Sequence, residues 1–263
     1  MEVVRELHMN AGTGENSYVQ NSLLQQKVIF TAKPIIEKAV TNLCCSSFPE
    51  SIAIADFGCS SGPNTLFAVS EIIKAVETNY RKLGHQSPEY HVFLNDLPSN
   101  DFNTIFKSLP SFQEKLKEQS IWPCFFYGVP GSFHGRLLPH NSGVVDKEKL
   151  DSFNVPFFTP SMSEVISEIE KDGSFLIDEL EISEQHWNPY HDEPNISEAF
   201  KDPGYNVAKY VRSVIEPLFI SHFGFDKAIM DEVFDRYKAI LNDYMTKEKT
   251  EFVYLMVSVI KKE

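Results

Sequence analysis

With 263 residues, the chain is long enough to bury a substantial core, as one large domain or one domain with a cap. Its 37 acidic against 24 basic side chains leave a formal charge of −13, the wrong sign for nucleic acid or an anionic membrane as partner. The four cysteines, Cys44, Cys45, Cys59 and Cys124, match neither a zinc ribbon nor a C-x-x-C redox pair, and adjacent Cys44 and Cys45 do not suit a disulfide framework.

At the amino end, MEVVRELHMN lacks the apolar stretch of a signal peptide and no later run reaches membrane-spanning length, so a cytoplasmic protein is expected. Leu23, Leu24, Val28, Ile35, Ile36, Val40 and Leu43 predict a long helix, bent at Pro34. Ile52 to Ala55 is a continuous apolar run of the kind buried on both faces of a parallel sheet. It ends in Asp56 and passes into a turn where Gly58 and Gly62 permit positive φ and close approach to a ligand, with Ser60 and Ser61 offering hydroxyls. Leu66, Val69, Ile73 and Val76 then predict a helix. A second strand, Tyr90 to Leu94, ends in Asn95, Asp96 and Leu97, and a third, Cys124 to Val129, leads into Gly131, Ser132 and Phe133.

Beyond these come a helix from Ser161 to Ile169, a strand from Gly173 to Ile182, and a polar loop from Trp187 to Pro203. Helices follow at Asn206 to Ser221 and Asp226 to Tyr244, the second with Ile229, Val233, Tyr237, Ile240 and Tyr244 along one face, and Phe252 to Ile260 closes as a strand.

An acid at the end of each of two consecutive strands is the feature that points to a ligand. Ligands of open α/β sheets sit beyond the carboxyl ends of the strands, where Asp96 can accept hydrogen bonds from ribose hydroxyls. Asp56 and the glycine turn suit a ligand that also carries diffuse positive charge, as S-adenosylmethionine does. A dinucleotide is the weaker match, because only Gly58 and Gly62 stand where G-x-G-x-x-G would be needed. Asp56 could instead cap the following turn, and Phe133 beside Ser132 could be plain packing rather than a flank for adenine.

LHMNAGTGENSYVQNSLLQQK, IADFGCSSGPN, FLNDLPSNDFN, GVPGSFHGRLLP, DSFNVPFFTPS, GSFLIDELE and GYNVAKYVRSVIEPL together resemble the plant SABATH methyltransferases, most closely the salicylate and benzoate carboxyl methyltransferases. The resemblance implies an α/β fold: a Rossmann-like S-adenosylmethionine-dependent methyltransferase sheet with a helical cap. It also implies methyl transfer from S-adenosylmethionine to a small carboxylic acid, and a homodimer. Carried over by motif, Tyr18, Ser22, Asp56, Ser60, Asp96, Leu97, Ser132 and Phe133 would hold the cofactor, and Gln25, Phe158, Val211, Val214 and Phe252 the substrate. Asp151, the Phe153 carbonyl and Asn154 would offer hard oxygens to Mg²⁺, although helix capping explains Asp151 and Asn154 equally well. Xanthine N-methylation occurs on the same family pattern and is a further alternative.

One departure outweighs the matches. After GVPGSF the family continues through further strands and helices, whereas here Asn141, Ser142 and Gly143 pass almost directly to DSFN. At least two βαβ units, roughly 60 residues or more, are missing after Ser142. The sheet is therefore expected to be incomplete, with residues 1–142 as a cofactor-binding half and 143–263 as the remnant of the substrate cap and the carboxyl-terminal strands. The tryptophan and tyrosine that would complete a carboxylate clamp fall in the gap, and a truncated, catalytically impaired isoform that binds cofactor weakly or pairs with a full-length relative is an alternative function. Relatives that prefer salicylate tend to carry methionine where Val211 stands and tyrosine where Phe158 stands, which leaves the acid itself undecided.

Overall fold

In the computed structural model, residues 8–46, 48–121, 123–131, 159–193, 197–223 and 226–262 are described. A short helix α1 (Tyr18–Asn21) precedes the long α2 (Leu23–Ser46), which carries Pro34 inside it. Strand and helix then alternate: β1 (Ser51–Phe57), α3 (Asn64–Lys82), β2 (Glu89–Asp96), α4 (Phe102–Glu118) and β3 (Cys124–Pro130). The three strands form one parallel sheet in the order β1-β2-β3, with Ile54 opposite Val92 and Val92 opposite Phe126.

Two right-handed crossovers running in the same direction put both helices on the same face of the sheet. That face is the core: Ile52, Ile54, Tyr90, Val92, Leu94 and Cys124 pack on Leu66, Val69, Ile73 and Val76 of α3, on Ile105 and Leu116 of α4, and on Val40 and Cys44 of α2. Among the described residues no helix covers the opposite face. Ala53, Ala55, Phe57, Phe125 and Tyr127 are exposed, which corrects the expectation that β1 is buried on both sides. A doubly wound sheet covers its second face only when the winding reverses on the far side of its first strand, and the units that would do so belong to the gap. Among the described residues β1 pairs with β2 alone.

This asymmetry has a measurable consequence. Leu94→Ala, at a fully buried position, is expected to cost about 2–5 kcal/mol. Ala55→Ser, on the exposed face, should cost less than about 0.5 kcal/mol and reduce binding of a hydrophobic dye. Urea titration and dye fluorescence check both, and equal costs would show that the second face is covered after all.

The carboxyl-terminal half has its own small core. Helix α5 (Met162–Asp172) opens on a capping box between Ser161 and Glu164 and ends at Gly173. Strands β4 (Phe175–His186) and β5 (Glu251–Lys261) pair antiparallel with an irregularity at Ile177/Glu179, a separate ribbon rather than an extension of the parallel sheet. Between them lie a 3₁₀ turn (Glu198–Phe200) and the helical hairpin α6 (Pro203–Phe223) and α7 (Lys227–Met245).

The face of α7 differs from expectation. Met230, Phe234 and Leu241 are buried against Val207 and Ala208; of the expected stripe Val233 and Tyr237 pack against this core, while Ile229, Ile240 and Tyr244 are exposed. Close approach to α6 sets this rotation: a Cβ on Gly204 would stand 2.6 Å from Asn242 and from the Lys238 carbonyl. The Arg212–Asp231 ion pair at 2.7 Å, with the Arg212 guanidinium 5.4 Å from the Phe234 ring centroid, holds the same orientation. Helix α4 has no counterpart in the sequence expectations. It forms because Asp101 caps it through the Thr104 N–H and because Ile105, Leu109, Phe112 and Leu116 recur on one side, despite Pro110.

Candidate active site

The site is built at the carboxyl tips of β1 and β2. Asp56 lies opposite Leu94, so Asp96 stands two residues further along the neighbouring strand. The turn after β1 is fastened there: the N–H groups of Gly58 and Cys59 both donate to the Asn95 carbonyl at 2.9 Å. Gly58 has φ +87°, and Ser60 takes a left-handed φ of +54°, a conformation that costs a serine free energy and must be held from outside. Asp96 holds it. One carboxylate oxygen accepts from the Ser60 N–H at 2.7 Å and the other from the Leu97 N–H at 2.7 Å.

Asp56 accepts from the Thr65 hydroxyl at 2.6 Å. Burial pushes its carboxyl above the usual aspartate range, the Thr65 hydrogen bond opposes this, and the charge of Asp96 adds a smaller rise. The two acids therefore share one place. Around them Ser60 Oγ, Ser61 Oγ and Asn95 Oδ1 are buried without a hydrogen-bond partner, and buried polar atoms in that state mark a place for a polar ligand or solvent.

From above, the amino-terminal segment closes on the turn. A Cβ on Gly62 would lie 3.4 Å from the Tyr18 ring and 3.6 Å from Ser22 Oγ, ordinary van der Waals contact, so both residues sit directly against the turn. The Asn64 amide donates to the Ser22 carbonyl at 2.8 Å. Burial, then Tyr210, then the charges of Asp56 and Asp96 push the Tyr18 phenol well above its ordinary value, so it stays protonated and neutral. Ser60 lies close enough to oppose that rise, although its hydroxyl makes no hydrogen bond of regular geometry.

On the other side, Gln25 Oε1 is buried without a partner. Phe252 joins an aromatic group with Trp187, at 5.8 Å between ring centroids, and Tyr210, at 6.2 Å and 78°. Trp187 Nε1 is likewise buried and unpartnered. Tyr210 and Trp187 were missed by sequence reasoning, since one falls on a helix and the other in an unpatterned loop. Val211 packs into the carboxyl-terminal core and Val214 is half-buried on the same helix. Ser132, Phe133, Phe158, Asp151, Phe153 and Asn154 lie outside the described residues, among which no group of three or more His, Cys, Asp or Glu is placed to hold a metal.

Neither a cleft of about 270 Å³ beside Glu15, Tyr190 and Lys209 nor its neighbour of about 390 Å³ contains Asp56 or Asp96.

A parallel sheet with acids at two adjoining strand tips, a glycine turn between them and a lid from the amino end defines the S-adenosylmethionine-dependent methyltransferase class. The same architecture is seen in "Loganic acid methyltransferase with SAH", which is 24% identical, aligns over 97% of this chain and 99% of that one, and has a TM-score of 0.75.

The model of the "SAM dependent carboxyl methyltransferase" family matches residues 4–142 and 140–262, and the chain belongs to that family. It is 38% identical to the S-adenosyl-L-methionine:benzoic acid/salicylic acid carboxyl methyltransferase 2 of Petunia hybrida, over 99% of each chain. With the salicylate carboxymethyltransferase of Clarkia breweri it shares 36% identity over 100% of this chain and 99% of that one. Identity to the probable jasmonic acid carboxyl methyltransferase 1 of Theobroma cacao is 34% over the whole of both. The Petunia alignment runs over 364 positions against 263 residues, so at least 101 positions face a gap in this chain. The two family matches meet at residues 140–142, where the sequence motifs place the missing segment.

Proposed function

We propose that the chain binds S-adenosylmethionine at the tips of β1 and β2 and transfers its methyl group to the carboxylate of a small aromatic acid such as salicylate or benzoate. The observation that carries this reading is the Asp96 carboxylate clamped between the Ser60 and Leu97 amides beside Asp56. Each carboxylate retains lone pairs that can accept from ribose hydroxyls. Ser60, Ser61 and Asn95 offer further unpaired groups, and two acids favour a cationic ligand.

When bound, S-adenosylmethionine supplies an electrophilic methyl group on a sulfonium sulfur. The protein supplies position. An aromatic carboxylic acid is already ionised near neutral pH, so no general base is needed. Tyr18, neutral and fixed against Gly62, walls the cofactor side without competing as an anion. In this reading the Gln25 amide would donate to the substrate carboxylate, its oxygen being buried without a partner, and Phe252 with Trp187 and Tyr210 would offer an apolar surface for a ring.

A second reading, a chain that keeps the cofactor but transfers methyl poorly, is favoured by the exposed sheet face and the gap of at least 101 positions. Calorimetry with S-adenosylhomocysteine and transfer of labelled methyl to salicylate, benzoate, jasmonate, anthranilate and xanthine separate the two. Binding with turnover of an aromatic acid supports the first, binding without turnover the second, and no binding rejects both.

Asp56 gives this site an expected pH dependence. The folded carboxyl holds its proton more tightly than the unfolded one, so its stabilising contribution is present below the ordinary pKa of about 4 and is lost as pH rises through the raised value. Ribose binding needs the ionised form and runs the opposite way. Affinity for S-adenosylhomocysteine should therefore fall on acidification at a pH above the ordinary aspartate range, and Asp56→Asn should remove that inflection while raising the melting temperature of the ligand-free protein. An unchanged inflection in the variant would assign it to another group.

A further inference from the structure

Tyr18 and Ser22 reach the glycine turn from residues 8–17, a segment without helix or strand of its own. Such a segment keeps its place only through bonds to its surroundings, and Asn10 makes several of them. Its N–H donates to the Ser213 carbonyl at 2.8 Å, and its own carbonyl accepts from the Tyr18 N–H at 2.9 Å. The Asn10 amide donates to Glu216 Oε2 at 2.6 Å and to the Asn16 carbonyl at 3.1 Å.

Glu216 is 7% exposed, and its other oxygen accepts from Arg212 Nε at 2.9 Å and Nη2 at 2.5 Å. Arg212 in turn pairs with Asp231 on α7. A buried ion pair of this kind adds little net stability against a well-packed apolar alternative, so its usefulness lies in fixing geometry. Here the geometry is that of the lid. Further bonds steady the segment: the Gly12 N–H donates to Asp101 Oδ2 at 3.2 Å at the cap of α4, and Glu15 accepts from the Tyr205 hydroxyl at 2.9 Å and pairs with Lys209 on α6.

We propose that Glu216 is a positioning residue for cofactor binding: held by Arg212, it fixes Asn10, and through the Asn10–Tyr18 backbone bond it sets Tyr18 against Gly62. The proposal rests on the S-adenosylmethionine reading for its functional meaning, and the helical hairpin thereby becomes part of the cofactor site although none of its charged side chains touches the strand tips.

A reciprocal exchange tests it. Asn10→Asp places carboxylate against carboxylate, Glu216→Gln removes the charge, and the double variant re-forms the hydrogen bond with donor and acceptor exchanged. Asn10→Asp is expected to speed hydrogen exchange of the Tyr18 amide about tenfold in the ligand-free protein. It should weaken S-adenosylhomocysteine binding by a similar factor, about tenfold, with the loss in KM for the cofactor rather than in kcat. The double variant should recover to within about threefold of the parent. Asn10→Ala, which leaves the Glu216–Arg212 pair intact, gives the same readout should the charged variant fail to fold. Unchanged Tyr18 exchange in Asn10→Asp or Asn10→Ala, or a double variant no better than the singles at the parent's melting temperature, overturns the proposal. A parent that binds no S-adenosylhomocysteine strikes at the cofactor reading instead, while exchange at Tyr18 still decides this one.

Discussion

Asp96→Ala is expected to reduce affinity for S-adenosylhomocysteine on the order of a hundredfold, which corresponds to about 3 kcal/mol. Two effects add. The variant loses charge-assisted acceptors for the ribose, each worth about 1.5–3 kcal/mol. It also releases the Ser60 and Leu97 N–H groups, so nothing offsets the left-handed conformation of Ser60. Because Asp96 is half-exposed and supports a turn rather than the apolar core, the melting temperature should fall far less than after Leu94→Ala. Calorimetry and thermal melting give both numbers. A loss of affinity under about threefold, in a variant that melts like the parent, would move the ribose away from β2 and undo the proposed cofactor site.

Restoring the gap should have an effect of the opposite sign and greater size. A chimera carrying the corresponding segment of the Petunia relative between Ser142 and Gly143 would reverse the winding on the far side of β1, cover Ala53, Ala55 and Phe57, and supply the missing substrate wall. Misplacement of a reacting group by about 1 Å can cost on the order of a hundredfold in rate, and an absent wall displaces far more than that. The chimera is expected to transfer methyl to an aromatic acid at least about a hundredfold faster than the chain as it stands, and to bind less hydrophobic dye. Equal rates with and without the segment would mean that the shortened chain assembles a competent pocket by itself.

Much of the architecture was legible because its signals are local. Apolar runs ending in Asp56 and Asp96 gave the strands and the acids at their tips, and the spacing of Leu66, Val69, Ile73 and Val76 gave α3. The exposed sheet face had a signal that was passed over: in Ile52-Ala53-Ile54-Ala55 the large residues alternate with small ones, and only the isoleucines are buried. Helix α4 was hidden by Pro110, although its Asp101 cap and its apolar spacing were there to be read. The stripe on α7 was right for Val233 and Tyr237 and wrong for Ile229, Ile240 and Tyr244, because two apolar faces are possible and contact with α6 chooses between them. Tyr210 and Trp187 could not be found from pattern at all, since they meet Tyr18 or Phe252 only through pairings distant in sequence. Tyr18 and Gln25 came from family resemblance, and the structure now gives each a local circumstance, a neutral buried phenol and an unpaired buried amide oxygen.

Among the described residues β1 pairs on one side only, which bears on how long such a chain would survive in a cell. A free strand edge beside exposed aromatic side chains is the surface that chaperones retain and proteases sample. At the proposed site S-adenosylmethionine would engage the tip of that same strand, and a ligand at a hundred times its dissociation constant stabilises the folded state by about 2.7 kcal/mol. Turnover of the protein would then follow the supply of its own methyl donor, with abundance rising when the donor is plentiful and falling when it is scarce.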